Sequence, residues 1–240
     1  MIRRDMISET YLIDCMEFMR TLPDKFFDLA VVDPPYGIGE SENIRGGTKY
    51  GRAAVNSKNY GKKNWDVSPP DMIYFIELKR VSKNQIIWGA NHFISRMPID
   101  SSCWIVWDKV TGNNGYADCE LAHTSFSSAV RLFKFQWAGM LQGDMGNKER
   151  RIHPTQKPVA LYKWLLTNYA KPGQKIFDSH MGSQSSRIAA YQMGFDYWGC
   201  ELDPDYYRDG CKRFDAVIHK KDTTEYVPVE QTGVGQARLF

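Results

Sequence analysis

The sequence predicts an α/β fold: a mostly parallel sheet with helices on both faces. Three observations carry this expectation. Apolar runs of strand length alternate with segments of helical periodicity along most of the chain. The run Asp28-Leu29-Ala30-Val31-Val32 is continuously apolar at its centre, as a strand covered on both faces must be. Three such runs end on an acid, at Asp33, Asp178 and Glu201. Those acids fall at the carboxyl ends of strands, where open α/β sheets bind ligands.

Tyr11-Leu12-Ile13 reads as a first short strand, and Met16 to Leu22 as a helix turning back to Pro23-Asp24. The strand before Asp33 completes a strand–helix–strand unit. Pro34 and Pro35 stop that strand, because proline fixes φ and has no N–H for the ladder. Trp65 to Asp71 is a helix start with Ser68 or Asp71 as cap, and Met72 to Val81 has helical periodicity. Gln85 to Gly89 and Ser102 to Lys109 are strands. Leu121 to Phe126 and Ala129 to Phe135 are expected as antiparallel strands at a sheet edge, and 136–151 as an irregular insertion. Pro158 suits the first turn of a helix over Val159 to Tyr169. Lys175 to Asp178 is a strand, Arg187 to Met193 a helix, Phe195 to Cys200 a strand and Asp205 to Ile218 a helix. Residues 1–219 form one α/β domain on this reading, with 220–240 as a polar tail.

At 240 residues, 42% hydrophobic and 25% charged, the composition is that of an ordinary soluble domain. No apolar run approaches membrane-spanning length and Met1 to Asp5 resembles no leader, so a cytoplasmic location without membrane contact is expected. The five cysteines are scattered without a CxxC pair, which favours free thiols over disulfides or zinc. His180 has no second His or Cys at a ligand spacing, and no metal is expected. Net charge is only +3, but residues 43–64 hold Arg45, Lys49, Arg52, Lys58, Lys62 and Lys63 with no acid among them. That tract, directly after the Asp33 loop, is a candidate for phosphate contact, or else a solvated loop.

The segment after Asp178 consists of small residues and leads into a helix, a setting where a polar ligand meets backbone N–H groups. Glu201, at the end of the next strand, is placed to bond ribose hydroxyls. Together they suggest an adenosine-containing cofactor, the alternative being a structural turn with an incidental acid. The loop offers only Gly182, which excludes the dinucleotide fingerprint, and no Walker-type Gly-Lys-Ser/Thr occurs.

Asp33-Pro34-Pro35-Tyr36, the turn at Asp178 to Ser183, and His153-Pro154-Thr155-Gln156-Lys157-Pro158 occur in one short chain. The combination resembles the DNA amino-methyltransferases that use S-adenosylmethionine (SAM), in the β-group order with the catalytic loop first. The likeness runs from about Tyr11 to Arg213 and includes Ile87-Trp88-Gly89-Ala90-Asn91 and Trp104 to Lys109. It implies the Rossmann-like methyltransferase fold, with small DNA-contacting insertions at 43–64 and 136–151. It also implies SAM as cofactor and double-stranded DNA as partner. By the same resemblance Asp14, with Cys15 beside it, meets the adenine of SAM. Thr155 and Lys157 serve its methionine end, where Lys157 pairs the carboxylate. Asp178, Gly182 and Ser183 form the methionine loop, and Glu201, with Asp203 close behind, holds the ribose. Asp33, Pro34, Pro35 and Tyr36 form the catalytic loop, and Asp33 is also expected to border the cofactor. One departure stands out: the family's Asp-Pro-Phe-x-Gly-Ser-Gly reads here Asp178-Ser179-His180-Met181-Gly182-Ser183-Gln184.

An exocyclic base amine is a poor nucleophile, because its lone pair is delocalised into the ring. A carboxylate at Asp33 and the Pro34 carbonyl, each accepting one N–H, favour a localised lone pair, and Tyr36 offers a surface for a flipped base. No Pro-Cys occurs, which excludes cytosine carbon-5 chemistry. Asp in the first motif position leans toward adenine N6, with the cytosine N4 amine as the alternative; a non-catalytic SAM- or DNA-binding protein is the rival of another class. Lys148, Arg150 and Arg151 are further DNA-contact candidates. The chain could be the modification half of a restriction–modification system or act alone. Gln236-Ala237-Arg238-Leu239-Phe240 resembles the bacterial sliding-clamp-binding pentapeptide.

Overall fold

A computed structural model describes residues 6–39, 63, 66–97, 100–111, 117–138 and 141–221. In chain order the elements are β1 (Ser8–Leu12), α1 (Cys15–Arg20), β2 (Phe27–Val32), α2 (Met72–Val81), β3 (Ser82–Trp88), β4 (Trp104–Asp108), β5 (Cys119–Thr124), β6 (Arg131–Lys134), β7 (Trp137–Ala138), β8 (Leu141–Gln142), α3 (Val159–Tyr169), β9 (Lys175–Asp178), α4 (Ser185–Met193), β10 (Asp196–Glu201) and α5 (Pro204–Lys221). Arg45, Lys49, Arg52, Lys58 and Lys62, and the tail segment Gln236 to Phe240, lie outside the described residues. Among the described residues no helix is long and apolar enough to cross a membrane.

Eight strands form one sheet in the order β1-β10-β9-β2-β3-β5-β4-β6. The neighbours from β1 to β3 are all parallel, as the continuous apolar runs require. Alternate side chains of β2 feed two cores. Leu29 and Val31 pack with Leu161 and Leu165 of α3 and Ala189 and Ala190 of α4. Ala30 and Val32 pack on the opposite face with Phe18 and Met19 of α1 and Tyr74, Phe75 and Leu78 of α2. β2 is buried on both sides from Leu29 to Val32, and acids flank that stretch: Asp28, paired with Lys83, before it and Asp33 after it.

Helix starts follow the expected chemistry. The Asp71 carboxylate accepts from the N–H groups of Ile73 and Tyr74, so Asp71 rather than Ser68 caps α2. Asp14 caps α1 in the same way through Met16 and Glu17. Pro158 sits at the cap position of α3 with extended backbone, one residue before the first turn.

The right half of the sheet departs from expectation. β5 is not at an edge; it lies between β3 and β4 and is antiparallel to both. The edge strand β6 runs parallel to β4. Strand direction is set by pairing partners distant in sequence, and the composition of a short β run carries no sign of it. The segment 136–151 contains the hairpin β7/β8.

Gln184 explains how the altered loop is accommodated. It sits before α4 with φ 59° and ψ 28°, the left-handed conformation natural to the glycine it replaces. Its fully buried side chain offsets that strain: the amide donates to the Tyr207 carbonyl and the Cys211 sulfur and accepts from Arg187. The room comes from Gly210 of α5, where a Cβ would lie 2.8 Å from Gln184 Cγ.

That packing predicts a coupled pair. Gly210→Ala alone should lower stability, because overpacking by roughly 1–3 kcal/mol outweighs about 1 kcal/mol of helix propensity. In a Gln184→Gly background the same change should stabilise. Urea unfolding of the four proteins checks this, and additive effects would contradict the packing.

Candidate active site

Parallel direction gathers the expected acids along one edge. β2 pairs β9 with Leu29 opposite Ile176 and Ala30 opposite Phe177, so the loops that begin at Asp33 and Asp178 leave neighbouring strands at one edge. β10 pairs β9 with Gly199 opposite Asp178, which places Glu201 next along the edge. β1 aligns Leu12 with Glu201, and Asp14 follows it.

Asp33, Pro34, Pro35 and Tyr36 line a cleft together with Ile38, Asp66 and Thr155. Two glycines shape it. Gly37, at φ +71°, runs so close to Pro69 that a Cβ would lie 2.4 Å from that ring. Gly89, at φ +68°, lies under Tyr36, and a Cβ there would lie 2.0 Å from the phenol ring. Tyr36 is further braced by His92, stacked at 5.0 Å between centroids and 15° between planes. The buried Asp66 carboxylate accepts the Gly37 N–H at 2.7 Å and fixes the turn.

A chain of charges, half-buried apart from the buried Lys157, runs along the back of the cleft. The Lys157 ammonium contacts Asp33 Oδ2 at 2.5 Å, Glu120 Oε2 at 3.1 Å and the Tyr36 hydroxyl at 3.1 Å. The Tyr36 hydroxyl donates to Asp33 Oδ1 at 2.7 Å, and Lys109 pairs with Glu120 Oε1. Burial, over the opposing pull of Lys157, holds the Asp33 carboxyl above its ordinary value. Burial would also raise Glu120, but Lys157 and Lys109 outweigh it and bring that carboxyl down to about 2. Burial would lower Lys157, and the two carboxylates reverse the sign.

Lys157, expected to pair a cofactor carboxylate, directs its three N–H donors to three acceptors within this cluster. Thr155 lines the cleft and bonds the buried His153 ring, whose pKa burial depresses to about 3.

The other half of the edge is built on backbone. Asp178 is buried; its carboxylate accepts from the Ser186 hydroxyl at 2.6 Å and the His180 N–H at 3.0 Å, and among the described residues no cationic side chain pairs it. Burial raises it to about 7, with Asp33 and Glu201 adding to the rise. Glu201 accepts from the N–H groups of Gly182, Leu202 and Asp203, so it shapes the loop it was expected to face. Burial still raises it above its ordinary value. Ser183 is buried, and its carbonyl accepts from Arg213 at 2.6 Å. Cys15 Sγ lies 4.0 Å from His180 Nε2 at the turn capped by Asp14. Among the described residues no group of three or more His, Cys, Asp or Glu could hold a metal ion.

The basic candidates separate. Lys148 and Arg150 are exposed, and Arg151 is half-buried with its guanidinium over Trp137. Lys63 is instead tied to Asp203 at 2.8 Å and Asp205 at 2.7 Å, so two residues expected to serve different ligands hold each other. The segment before α3 is anchored by Glu149, which accepts from Arg213 and from the Val159 N–H. Glu120, Lys109, His92, Asp66 and Glu149 escaped the sequence reading. Isolated acids and a lone His carry no motif, and only the antiparallel β5 brings Glu120 to this edge.

A family profile described as DNA methylase matches residues 101–212. YubD of Escherichia coli (strain K12), provisionally named a methylase, is 26% identical over 219 residues, covering 85% of this chain and 88% of YubD. The DNA adenine methyltransferase YhdJ of the same organism is 34% identical over 71 residues, 30% of this chain and 24% of YhdJ. Together these matches support a DNA methyltransferase. Among solved structures, M1.HpyAVI in complex with SAM superposes with a TM-score of 0.54 at 16% identity, over 86% of this chain and 98% of that one. The cytosine-N4-specific PvuII DNA methyltransferase gives 0.54 at 13% identity over 86% of each chain. The chain has the α/β fold of the SAM-dependent methyltransferases.

Asp178 predicts a pH signature. Its folded pKa, about 7, stands above the ordinary 3.8, so the folded state binds the extra proton between those values. That contribution to stability is complete below about pH 4 and is lost as pH rises toward 7 and beyond. Asp178→Asn should remove this loss, on the order of a few kcal/mol, and leave the ligand-free protein more stable than wild type at pH 8. Denaturant unfolding across pH 4 to 8 measures it; parallel curves for the two proteins would contradict the assignment.

Proposed function

We propose that this chain transfers the methyl group of SAM to the N6 amine of an adenine turned out of double-stranded DNA. The observation that carries the reading is the adjacency of β2 and β9, which sets the Asp33 loop against the Asp178 loop on one sheet edge. A methyl donor in one loop and an acceptor amine in the other would then be neighbours.

The residues present fit SAM. Asp178 is a buried carboxylate partnered by a hydroxyl and an N–H, which suits an incoming ammonium. Asp178, the backbone at Gly182 and Ser183, Glu201 and Asp14 with Cys15 would hold the cofactor. SAM, when bound, supplies an electrophilic methyl group on a sulfonium.

The chain's own residues prepare the acceptor. Asp33 accepts one N–H of the amine and the Pro34 carbonyl the other, which leaves the nitrogen lone pair free. Pro34 and Pro35 stiffen the loop, so the amine is held in one orientation. Tyr36, braced by His92 and Gly89, supplies an aromatic wall at the cleft. Asp33 or water takes the proton released from nitrogen. Lys148, Arg150 and Arg151, with the basic tract 43–64, are proposed to meet DNA phosphates, and the Gln236–Phe240 tail a sliding clamp.

Adenine is favoured by the Asp in the first motif position and by the match to YhdJ. The cytosine N4 amine is the second reading, favoured by the PvuII likeness. Base-resolved mapping of DNA treated with the protein and SAM separates them. N6-methyladenine at a defined sequence is expected, N4-methylcytosine would select the second reading, and no methylated base would overturn both.

Asp33→Ala should lower methyl transfer by roughly 10²-fold or more, with SAM affinity changed less than about threefold. Glu201→Ala should weaken SAM binding by about tenfold through lost hydrogen bonds. Calorimetric titration and tritium transfer measure both; near-normal turnover in the first, or unchanged affinity in the second, removes that residue from its role.

A further inference from the structure

We propose that Glu120 is a positioning residue: it divides the Lys157 ammonium between two carboxylates, so that Asp33 keeps lone pairs free for the substrate amine. This rests on the methyltransferase reading above. The geometry is specific. Lys157 has three donors, and its contact with Glu120 Oε2 at 3.1 Å withholds one of them from Asp33. The second oxygen of Glu120 is taken by Lys109, so Glu120 bridges two ammonium groups. Asp33 Oδ1 is left with the Tyr36 hydroxyl alone among its described partners. Two carboxylates and two ammonium groups cancel, which lets the cluster sit half-buried along the back of the cleft.

The fold places Glu120 for this task. β5 is antiparallel to its neighbours, so its beginning rather than its end reaches the carboxyl edge. Glu120 stands opposite Trp107, two residues before Lys109. The charged and titratable groups facing Asp33 are Lys157 from the segment before α3, Glu120 from β5 and Tyr36 from its own loop; Asp178 and Tyr162 act on it from farther off.

Removing the Glu120 charge hands Lys157 to Asp33. The carboxylate becomes less basic and more fully occupied, and both changes weaken its hold on the amine. Removing Lys109 does the opposite to the charge balance, because Glu120 loses its second cation and repels Asp33 more.

The test follows the Asp33 carboxyl by carbon-13 NMR in wild type, Glu120→Gln and Lys109→Gln, alongside methyl transfer from SAM to DNA across pH. In Glu120→Gln the Asp33 midpoint should fall, kcat should drop roughly tenfold or more, and SAM affinity should change less than about twofold. The acid limb of kcat should move down with the midpoint. In Lys109→Gln the midpoint should rise, a reversal that general damage to the site does not produce. Glu120→Asp, which keeps the charge, should recover part of the activity. An unmoved Asp33 midpoint in Glu120→Gln, or shifts of the same sign in both variants, overturns the proposal. Should Glu120→Gln fail to fold, an Asp33 midpoint in Lys109→Gln that does not rise overturns it as well. Absence of methyl transfer in wild type would instead count against the proposed function, while the Asp33 titration still decides whether Glu120 sets its charge.

Discussion

The cleft around Asp33 depends on one buried ammonium. Lys157 is 3% exposed, and its charge is tolerable only because Asp33, Glu120 and the Tyr36 hydroxyl surround it. Taking an ammonium out of water costs several kcal/mol, and removing one partner of such a pair commonly costs about 3–5 kcal/mol. The cluster is therefore bound together: Asp33 is oriented because Lys157 must be neutralised, and Tyr36 is oriented because its hydroxyl closes the ring of contacts. Gly89 completes the constraint by letting the backbone pass directly under the Tyr36 ring.

The Asp178 loop follows another physical rule. Among the described residues, Asp178 and Glu201 are surrounded by backbone N–H groups and a hydroxyl rather than by cations. Glu201 closes the Gly182 turn and caps the chain leaving β10, so the loop is held before any ligand arrives. Asp178, buried near two other acids and without a cationic partner among the described residues, is held at the expense of its own ionisation. A site that keeps a carboxylate in this condition stands to gain from a positively charged ligand.

Gln184 shows how far a motif can drift while its backbone is kept. The left-handed conformation persists without glycine, because the buried side chain found room over Gly210 and partners on α5 and at Arg187. The compensation lies 26 residues away in the chain, at a position no motif marks.

The sequence by itself determined the left half of the sheet, the helices α2 and α3, and the acids at strand ends. Those properties are local: a doubly buried strand must be continuously apolar, a proline must end it, and a carboxylate must cap a helix start. The aromatic and proline punctuation of the Asp33 loop was equally legible. What only the tertiary structure decided is where charges meet. The antiparallel insertion of β5 brings Glu120 to Lys157, and the segment before α3 brings Lys157 to Asp33 and to the Tyr36 hydroxyl. Lys63 likewise closes on Asp203 and Asp205. Strand direction and ion-pair choice are set by contacts between segments tens of residues apart, and electrostatic energy depends on distance in space rather than along the chain.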